Sequence, residues 1–371
     1  MRVAILHDYL NQFGGAERVL LALLEIFPNA DLYTLLYDDK KTFGFFRKNI
    51  KKTSFLDIPL VRRKHRAFIP LMPFAARLLK VDEDYDLVIS STAGYAKGFN
   101  VIHRRSDSNP FHVSYCHSPL RYAWEIDYLK NLEISPWPFH KSVFHPVAKI
   151  FRRWDKRMSR NVNLFIANSR HIADKVRSYY GRDSLVIYPP VDTDVFYPEP
   201  TAPRKDYYLM AGRLLYYKGF DLGIKAFNKL KKPLKVVGAG PEIQKLRELA
   251  DPDYIEFIPF LGDEELRRTY SDAKALVFPQ IEDFGLVAAE AVSCGTPVIA
   301  YNQGGGREIV KHRETGFLFD EQSVEALIEA IRDFEGISFD RARIARAAKI
   351  FSKEHFKEEI GRVLKENGCE I

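Results

Sequence analysis

The chain has 371 residues, 46% hydrophobic and 28% charged, a balance that excludes disorder and points to about two domains. Its longest apolar stretches, such as Val19–Phe27, are broken by a charge well short of the ~20 residues needed to cross a bilayer. The net charge of +7 is unevenly placed, with ten Lys/Arg against the single acid Asp57 in Arg47–Lys80 and seven against Asp155 in Lys141–Arg160, which favours an anionic partner, a membrane surface or nucleic acid.

The hydrophobic run inside MRVAILHDYL is too short for a signal peptide. Cys116, Cys294 and Cys369 are far apart with no CxxC pair, so neither a zinc site nor a disulfide framework is expected. The expectation is a cytoplasmic protein in a reducing compartment.

Apolar runs and amphipathic segments then alternate along the chain, the pattern of βα units stacked on a parallel sheet. Val3–His7 reads as a buried strand, followed by a loop with Gly14 and Gly15 and a helix carrying Val19, Leu20, Leu23, Leu24 and Phe27 at helical spacing. Strands are expected at Leu32–Leu36, Leu87–Ser90, His112–Cys116, Leu164–Ala167 and Leu185–Ile187. Tyr188–Asp206, rich in proline and acid and without periodicity, reads as an interdomain linker.

Beyond it the alternation restarts. Strands are expected at Tyr207–Ala211, Leu234–Val237, Ile255–Ile258, Ala275–Phe278 and Val298–Ala300. Helices are expected from Gly219, at Glu264–Asp272, from about Leu286 to Ser293, and across Ser323–Asn367. The fold class is therefore α/β, with two open sheets in series and ligands expected at the carboxyl ends of the strands, in a cleft between the domains.

Four constellations could carry chemistry there. In GGAERVL, Gly14 and Gly15 lie just before a helix whose amides could cradle a phosphate, although an ordinary glycine turn looks the same. In AGRLLYYKG, Arg213 and Lys218 project from one βα loop and suit a diphosphate, a bidentate guanidinium beside a point charge. In ALVFPQIEDFGLVAAEAVSCGTPVIA, Glu282 and Glu290, with seven residues between them, could accept from sugar or ribose hydroxyls. The amides of Phe284, Gly285 and Leu286 would serve further oxygens. In SYCHSPLRYAWE, His117 follows a strand and is placed for ligand contact or proton work, while the other histidines show no metal-ligand spacing.

In this order and spacing the motifs GGAE, YCHSP, GRLLYYKG, VVGAGPE and EDFGLVAAEAVSCGTPVIA resemble the retaining glycosyltransferases of family 4, over nearly the whole chain. The EDFG variant with a GGAER start looks most like bacterial and archaeal mannosyltransferases of O-antigen-type polysaccharides. The resemblance implies a GT-B fold, two Rossmann-like domains with parallel sheets facing across a cleft. It implies an acceptor-binding domain over residues 1–190, with the C-terminal helix 352–371 packed back on it, and a nucleotide-sugar domain over 191–351.

By the same resemblance Arg213 and Lys218 would bind the donor diphosphate, with Gly14 and Gly15 closing over it. Glu290 would hold the ribose, and Glu282, with the amides of Phe284, Gly285 and Leu286, would hold the transferred sugar. His117 would meet the sugar's 6-hydroxyl, and Gly238, Phe260 and Leu261 would seat the base. It implies a nucleotide-sugar donor, GDP-mannose favoured and a UDP-sugar possible, with no metal or other cofactor required.

Both basic stretches fall in the N-terminal half. RRKHRAFIPLMPFAARLLK mixes Phe68, Ile69, Leu71, Met72 and Phe74 with cations, and WPFHKSVFHPVAKIFRRWDKR does the same, as on a surface that lies on anionic lipid. The alternative is a helix with one core face and one solvated basic face. A glycan or polyprenol-linked acceptor on the inner face of the membrane is expected. Nucleic acid is not, since no recognition motif accompanies the charge. The competing readings are a sugar-nucleotide epimerase of the same fold and a silent glycan- or membrane-binding scaffold, the latter disfavoured by the presence of Arg213, Lys218, Glu282 and Glu290.

Overall fold

The computed structural model of the protein describes residues 1–102, 109–125, 141–199 and 205–369, the side chains of 141–145 excepted. It divides into two compact units, Met1–Tyr188 with Lys357–Ile371, and Pro189–Phe356.

The strands of the first unit are β1 (Val3–Leu10), β2 (Asp31–Tyr37), β3 (Ile50–Thr53), β4 (Lys80–Val81), β5 (Leu87–Thr92), β6 (Asn100–Val101), β7 (Phe111–Cys116), β8 (Leu164–Ala167) and β9 (Leu185–Val186). Seven of them form one sheet in the order β3-β2-β1-β5-β7-β8-β9, every pair parallel. β4 and β6 pair separately. The central strands are buried on both faces, which is why VAILHDYL is almost unbroken by polar residues until its carboxyl end. β3 escapes sequence reasoning because IKKT has little apolar content; it is an edge strand, whose exposed Lys51 and Lys52 guard it against further pairing.

The second unit holds β10 (Tyr208–Ala211), β11 (Leu234–Val237), β12 (Ile255–Ile258), β13 (Leu276–Phe278), β14 (Val298–Tyr301) and β15 (Gly316–Phe319). They form a six-stranded parallel sheet in the order β12-β11-β10-β13-β14-β15. Its core joins β10, β11 and β13–β15 to the helices Phe220–Leu230 and Val324–Glu335 through Met210, Ile224, Phe227, Val236, Ile299 and Ile331. Part of the stretch expected as a linker is built into this unit: Val191 and Phe196 are buried, and Val191 exchanges backbone hydrogen bonds with Phe351 (2.7 Å) and Lys353 (3.1 Å).

In each sheet the strand order reverses beside the first strand. The switch point lies between β1 and β5 in one and between β10 and β13 in the other, the position beyond whose carboxyl ends open α/β sheets bind their ligands.

The two acids of the basic stretches are both taken inward. Asp155 is buried, with Lys97 Nζ 2.6 Å away and hydrogen bonds from Trp124 Nε1 (2.8 Å) and Tyr180 Oη (2.7 Å). Asp57 accepts from Arg62 Nε at 2.6 Å and from the Tyr37 amide at 3.0 Å. Of the apolar residues expected on a lipid-facing surface, Ile69 and Met72 enter the core and Phe68 packs against it, whereas Leu71 and Phe74 are exposed. The 3₁₀ helix His65–Leu71 and the helix Met72–Leu78 that follows it each bury one side and expose the other, so only part of the expected set is exposed. Trp137–His140 lie outside the described residues. No helix among the described residues is long and apolar enough to cross a membrane, and Cys116, Cys294 and Cys369 are free and buried.

His112, on β7, is buried with Nε2 3.0 Å from Ser90 Oγ, and desolvation, aided by the charge of Lys97, pulls its pKa down to about 4. The unfolded chain takes up this proton near pH ~6.5 and the folded chain does not, so His112 contributes stability above ~6.5 that is lost as the pH falls toward ~4. Denaturation across this window is expected to show up to ~3 kcal/mol of acid destabilisation from this group, with a flatter profile in His112→Gln. Equal slopes in the two proteins would contradict it.

Candidate functional site

In the first unit the carboxyl end of β1 carries two buried polar residues, His7 and Asp8. Asp8 organises the loop after β5: its carboxylate accepts from Thr92 Oγ1 (3.0 Å) and from the amides of Ala93 (2.6 Å), Tyr95 (2.9 Å) and Ala96 (2.6 Å). A carboxylate with this many donors is well compensated for its burial, so the loop has one preferred shape.

Gly14 and Gly15 open the helix Gly15–Ile26, where Glu17 reaches back to accept from the Gly14 amide at 2.7 Å. This is half of a capping box, since Gly14 has no side chain to return the bond, and it satisfies the Gly14 amide within the protein. His117 follows β7, and its amide donates to Thr92 O at 2.9 Å while its carbonyl accepts from Asn168 Nδ2 at 3.1 Å. Its Nε2 lies 2.8 Å from Ser91 Oγ, and its ring stands edge-on to Tyr115 with centroids 5.2 Å apart. The backbone of His117 is thus fixed to the switch point that carries Asp8.

In the second unit the loops after β10 and β13 meet. Arg213 leaves β10, a turn of 3₁₀ helix spans Tyr216–Lys218, and Gly219, with φ of +66°, starts the helix Phe220–Leu230. Lys218 forms an ion pair with Glu282, both side chains largely shielded. The Lys218 ammonium and the Glu282 carboxylate therefore sit together at the second switch point, although 64 positions separate them in the chain.

Gly285 (φ +102°) caps the helix Leu286–Ser293 and sits against Phe278. Glu290 lies within that helix, only 4% exposed, and accepts from Tyr270 Oη at 3.1 Å. Phe284 is buried, whereas Phe260, just past β12, is 82% exposed beside a half-buried Leu261. Gly238 (φ +141°) passes so close to Gly212 that a Cβ would lie 1.9 Å from the Gly212 carbonyl oxygen, which holds the ends of β10 and β11 together.

The first unit brings Gly14, Gly15 and His117 to residues not singled out from sequence: His7, Asp8, Glu17 and Ser91. In the second unit Gly304–Gly306 was likewise missed. The Gly305 amide donates to Glu282 O at 2.9 Å, and a Cβ on Gly305 would fall 1.9 Å from Phe284 O. The visible signal was three consecutive glycines after β14, where a bulky residue could not let two loops touch.

The second switch point thus offers Arg213 and Lys218 for an oxyanion, Glu282 for hydroxyl donors and helix-end amides for further oxygens. The first offers an imidazole and a glycine turn. Polar groups convergent on strand ends are what a phosphorylated, hydroxyl-rich ligand needs.

Residues 13–195 match the sequence profile of Glycosyltransferase Family 4, and residues 194–351 that of Glycosyl transferases group 1. The chain is similar to the GDP-mannose-dependent alpha-(1-6)-phosphatidylinositol monomannoside mannosyltransferase of Mycobacterium tuberculosis, 31% identical over 232 residues, 55% of this chain and 59% of that protein. It is similar also to the D-inositol 3-phosphate glycosyltransferase of Mycobacteroides abscessus, 32% identical over 209 residues, 49% of this chain and 47% of that one. In both cases the match spans less than two thirds of the relative's length. Sucrose-phosphate synthase of Thermosynechococcus elongatus shares the fold, with a TM-score of 0.70 at 20% identity over 99% of each chain.

Gly305→Ala is expected to lower the unfolding free energy by about 2–4 kcal/mol, because the methyl group meets backbone that cannot swing aside. Chemical denaturation reads the loss, and amide exchange should quicken at Asp283–Gly285. Unchanged exchange there would show that the glycines do not hold this loop.

Proposed function

The chain belongs to the family 4 glycosyltransferases, in the GT-B fold, and from that premise we propose that it is a retaining hexosyltransferase moving mannose from GDP-mannose onto a lipid-linked or polysaccharide glycan. The observation that carries the reading is the meeting of Lys218 and Glu282 at the second switch point. A nucleotide sugar presents two demands within a few ångströms, a diphosphate needing cations and a sugar needing hydroxyl acceptors, and these two residues meet one each. The Mycobacterium tuberculosis relative, which by name uses GDP-mannose, supports this donor.

Arg213 and Lys218 take the diphosphate and stabilise the charge that grows on it as the bond to the sugar's anomeric carbon breaks. Glu290 takes the ribose hydroxyls, and Glu282, with the amides of Phe284, Gly285 and Leu286, orients the mannose. Gly238, Phe260 and Leu261 lie at the strand ends where the base is seated. His117 meets the sugar's 6-hydroxyl, and Gly14 and Gly15 give the diphosphate room to approach. The acceptor oxygen bonds to the anomeric carbon on the face the diphosphate leaves, and the departing phosphate oxygen accepts the acceptor's proton. Glu282 holds hydroxyls in this scheme and forms no covalent bond.

Calorimetric titration with GDP, UDP and ADP is expected to show selective GDP binding, weakened about tenfold or more in Arg213→Ala and in Glu290→Ala. Selective UDP binding would replace the donor with a UDP-sugar, and binding of none of the three would overturn the reading.

We propose further that the acceptor is met at an anionic membrane, on its cytoplasmic face. Phe55, Ile58, Leu60, Leu71, Phe74 and Leu78 are exposed over one short stretch, with the Phe55 and Phe74 rings 6.1 Å apart. Arg62, Arg63 and Lys64 end the helix Pro59–Lys64, and Arg77 lies in the last turn of Met72–Leu78. Apolar side chains among cations suit an acyl boundary beneath anionic headgroups. Co-sedimentation with liposomes should rise with the fraction of anionic lipid and fall with salt; equal recovery with neutral vesicles would contradict it.

A further inference from the structure

Four polar side chains of the first unit line up from the glycine turn to His117. Glu17 Oε1 lies 3.7 Å from His7 Nε2, a charge contact too long for a hydrogen bond. His7 Nδ1 lies 3.2 Å from Ser91 Oγ, and Ser91 Oγ lies 2.8 Å from His117 Nε2. His7 and Ser91 are register partners on β1 and β5, so the sheet itself sets their spacing. Glu17, His7 and Ser91 are all buried.

We propose that Glu17, His7 and Ser91 form a positioning relay that fixes the ring and the tautomer of His117. The inference rests on the placement of His117 at the transferred sugar given above. The buried carboxylate of Glu17 favours a proton on the facing nitrogen of His7, Nε2, and leaves Nδ1 as an acceptor. The Ser91 hydroxyl has one proton, which it donates to His7 Nδ1, and its lone pairs then accept from His117 Nε2–H. His117 then carries its ring proton on Nε2, and its Nδ1 has the character of an acceptor, the one a sugar hydroxyl requires.

The chain has a single direction because each link can donate only once. Glu17 also caps the helix that Gly15 opens, so one carboxylate couples the glycine turn to the orientation of the histidine. Such support of a ligand-contacting imidazole by groups behind it is a general device for holding tautomer and angle.

The test combines nitrogen-15 NMR of the histidine rings with the rate of GDP release from GDP-mannose, water standing in for the acceptor. Wild type should show His117 as the Nε2–H tautomer, and Ser91→Ala should show a mixture. Ser91→Ala should lower kcat about tenfold with the donor KM within about twofold, and Ser91→Thr, which keeps the hydroxyl, should restore it. His7→Phe should behave as Ser91→Ala, and His117→Ala should be at least as slow as either. If His117→Ala is slow while Ser91→Ala and His7→Phe turn over at the wild-type rate, the relay is overturned and the site reading stands. If His117→Ala turns over at the wild-type rate, the placement of His117 at the sugar fails, and the relay's function with it. An Nδ1–H tautomer in wild type, or ring signals unmoved by Ser91→Ala, overturns the relay whatever the donor is.

Discussion

The reversal of strand order beside the first strand of each parallel sheet is the constraint on which everything else depends. A parallel sheet needs a crossover after every strand, and where successive crossovers leave in opposite directions the strand ends part. In the first sheet the switch point falls between β1 and β5, where His7, Asp8, Ser91 and Thr92 stand; in the second it falls between β10 and β13, where Arg213 and Pro279 begin their loops. Polar residues at the carboxyl ends of otherwise apolar strands are therefore placed by topology before any ligand chemistry is considered.

The two switch points are furnished differently. In the first, buried polar groups satisfy one another: Asp8 collects four donors, and Glu17, His7 and Ser91 lead to His117. Such a site is rigid because any displaced member would leave a buried group without its partner. In the second, rigidity comes from backbone contact without side chains, as Gly238 meets Gly212 and Gly305 meets Phe284, while Lys218 and Glu282 hold each other. An ion pair whose members suit two parts of one ligand can be exchanged for that ligand without leaving a buried charge unpaired.

Much of the fold was legible because β strands buried on both faces write themselves as short apolar runs. Leu164–Ala167, Leu234–Val237 and Ile255–Ile258 have the bounds read from sequence, and so does the helix Leu286–Ser293. Ile50–Thr53 and Gly316–Phe319 were not legible, the first for want of apolar residues and the second because a four-residue strand that begins on a glycine resembles a turn. In the site, Arg213, Lys218, Glu282 and Glu290 stood out by type and position in their loops. Their partners did not, since Glu290 meets Tyr270 from a different helix and Lys218 meets Glu282 across 64 positions. The His7–Ser91 pairing spans 84 positions and follows from strand register, which composition and periodicity do not encode. The partners of the two acids in the basic stretches were not legible either, since Asp155 pairs with Lys97 across 58 positions, whereas Asp57 pairs with Arg62 of its own stretch.

Donor binding requires Lys218 and Glu282 to exchange each other for the two halves of one donor. A crystal structure with GDP-mannose bound tests it most directly. The diphosphate oxygens should lie within hydrogen-bond distance of Arg213 and Lys218, with Glu282 turned from Lys218 to the mannose hydroxyls. A diphosphate seated away from both cations, or a Lys218–Glu282 pair still intact beside the bound donor, would contradict it.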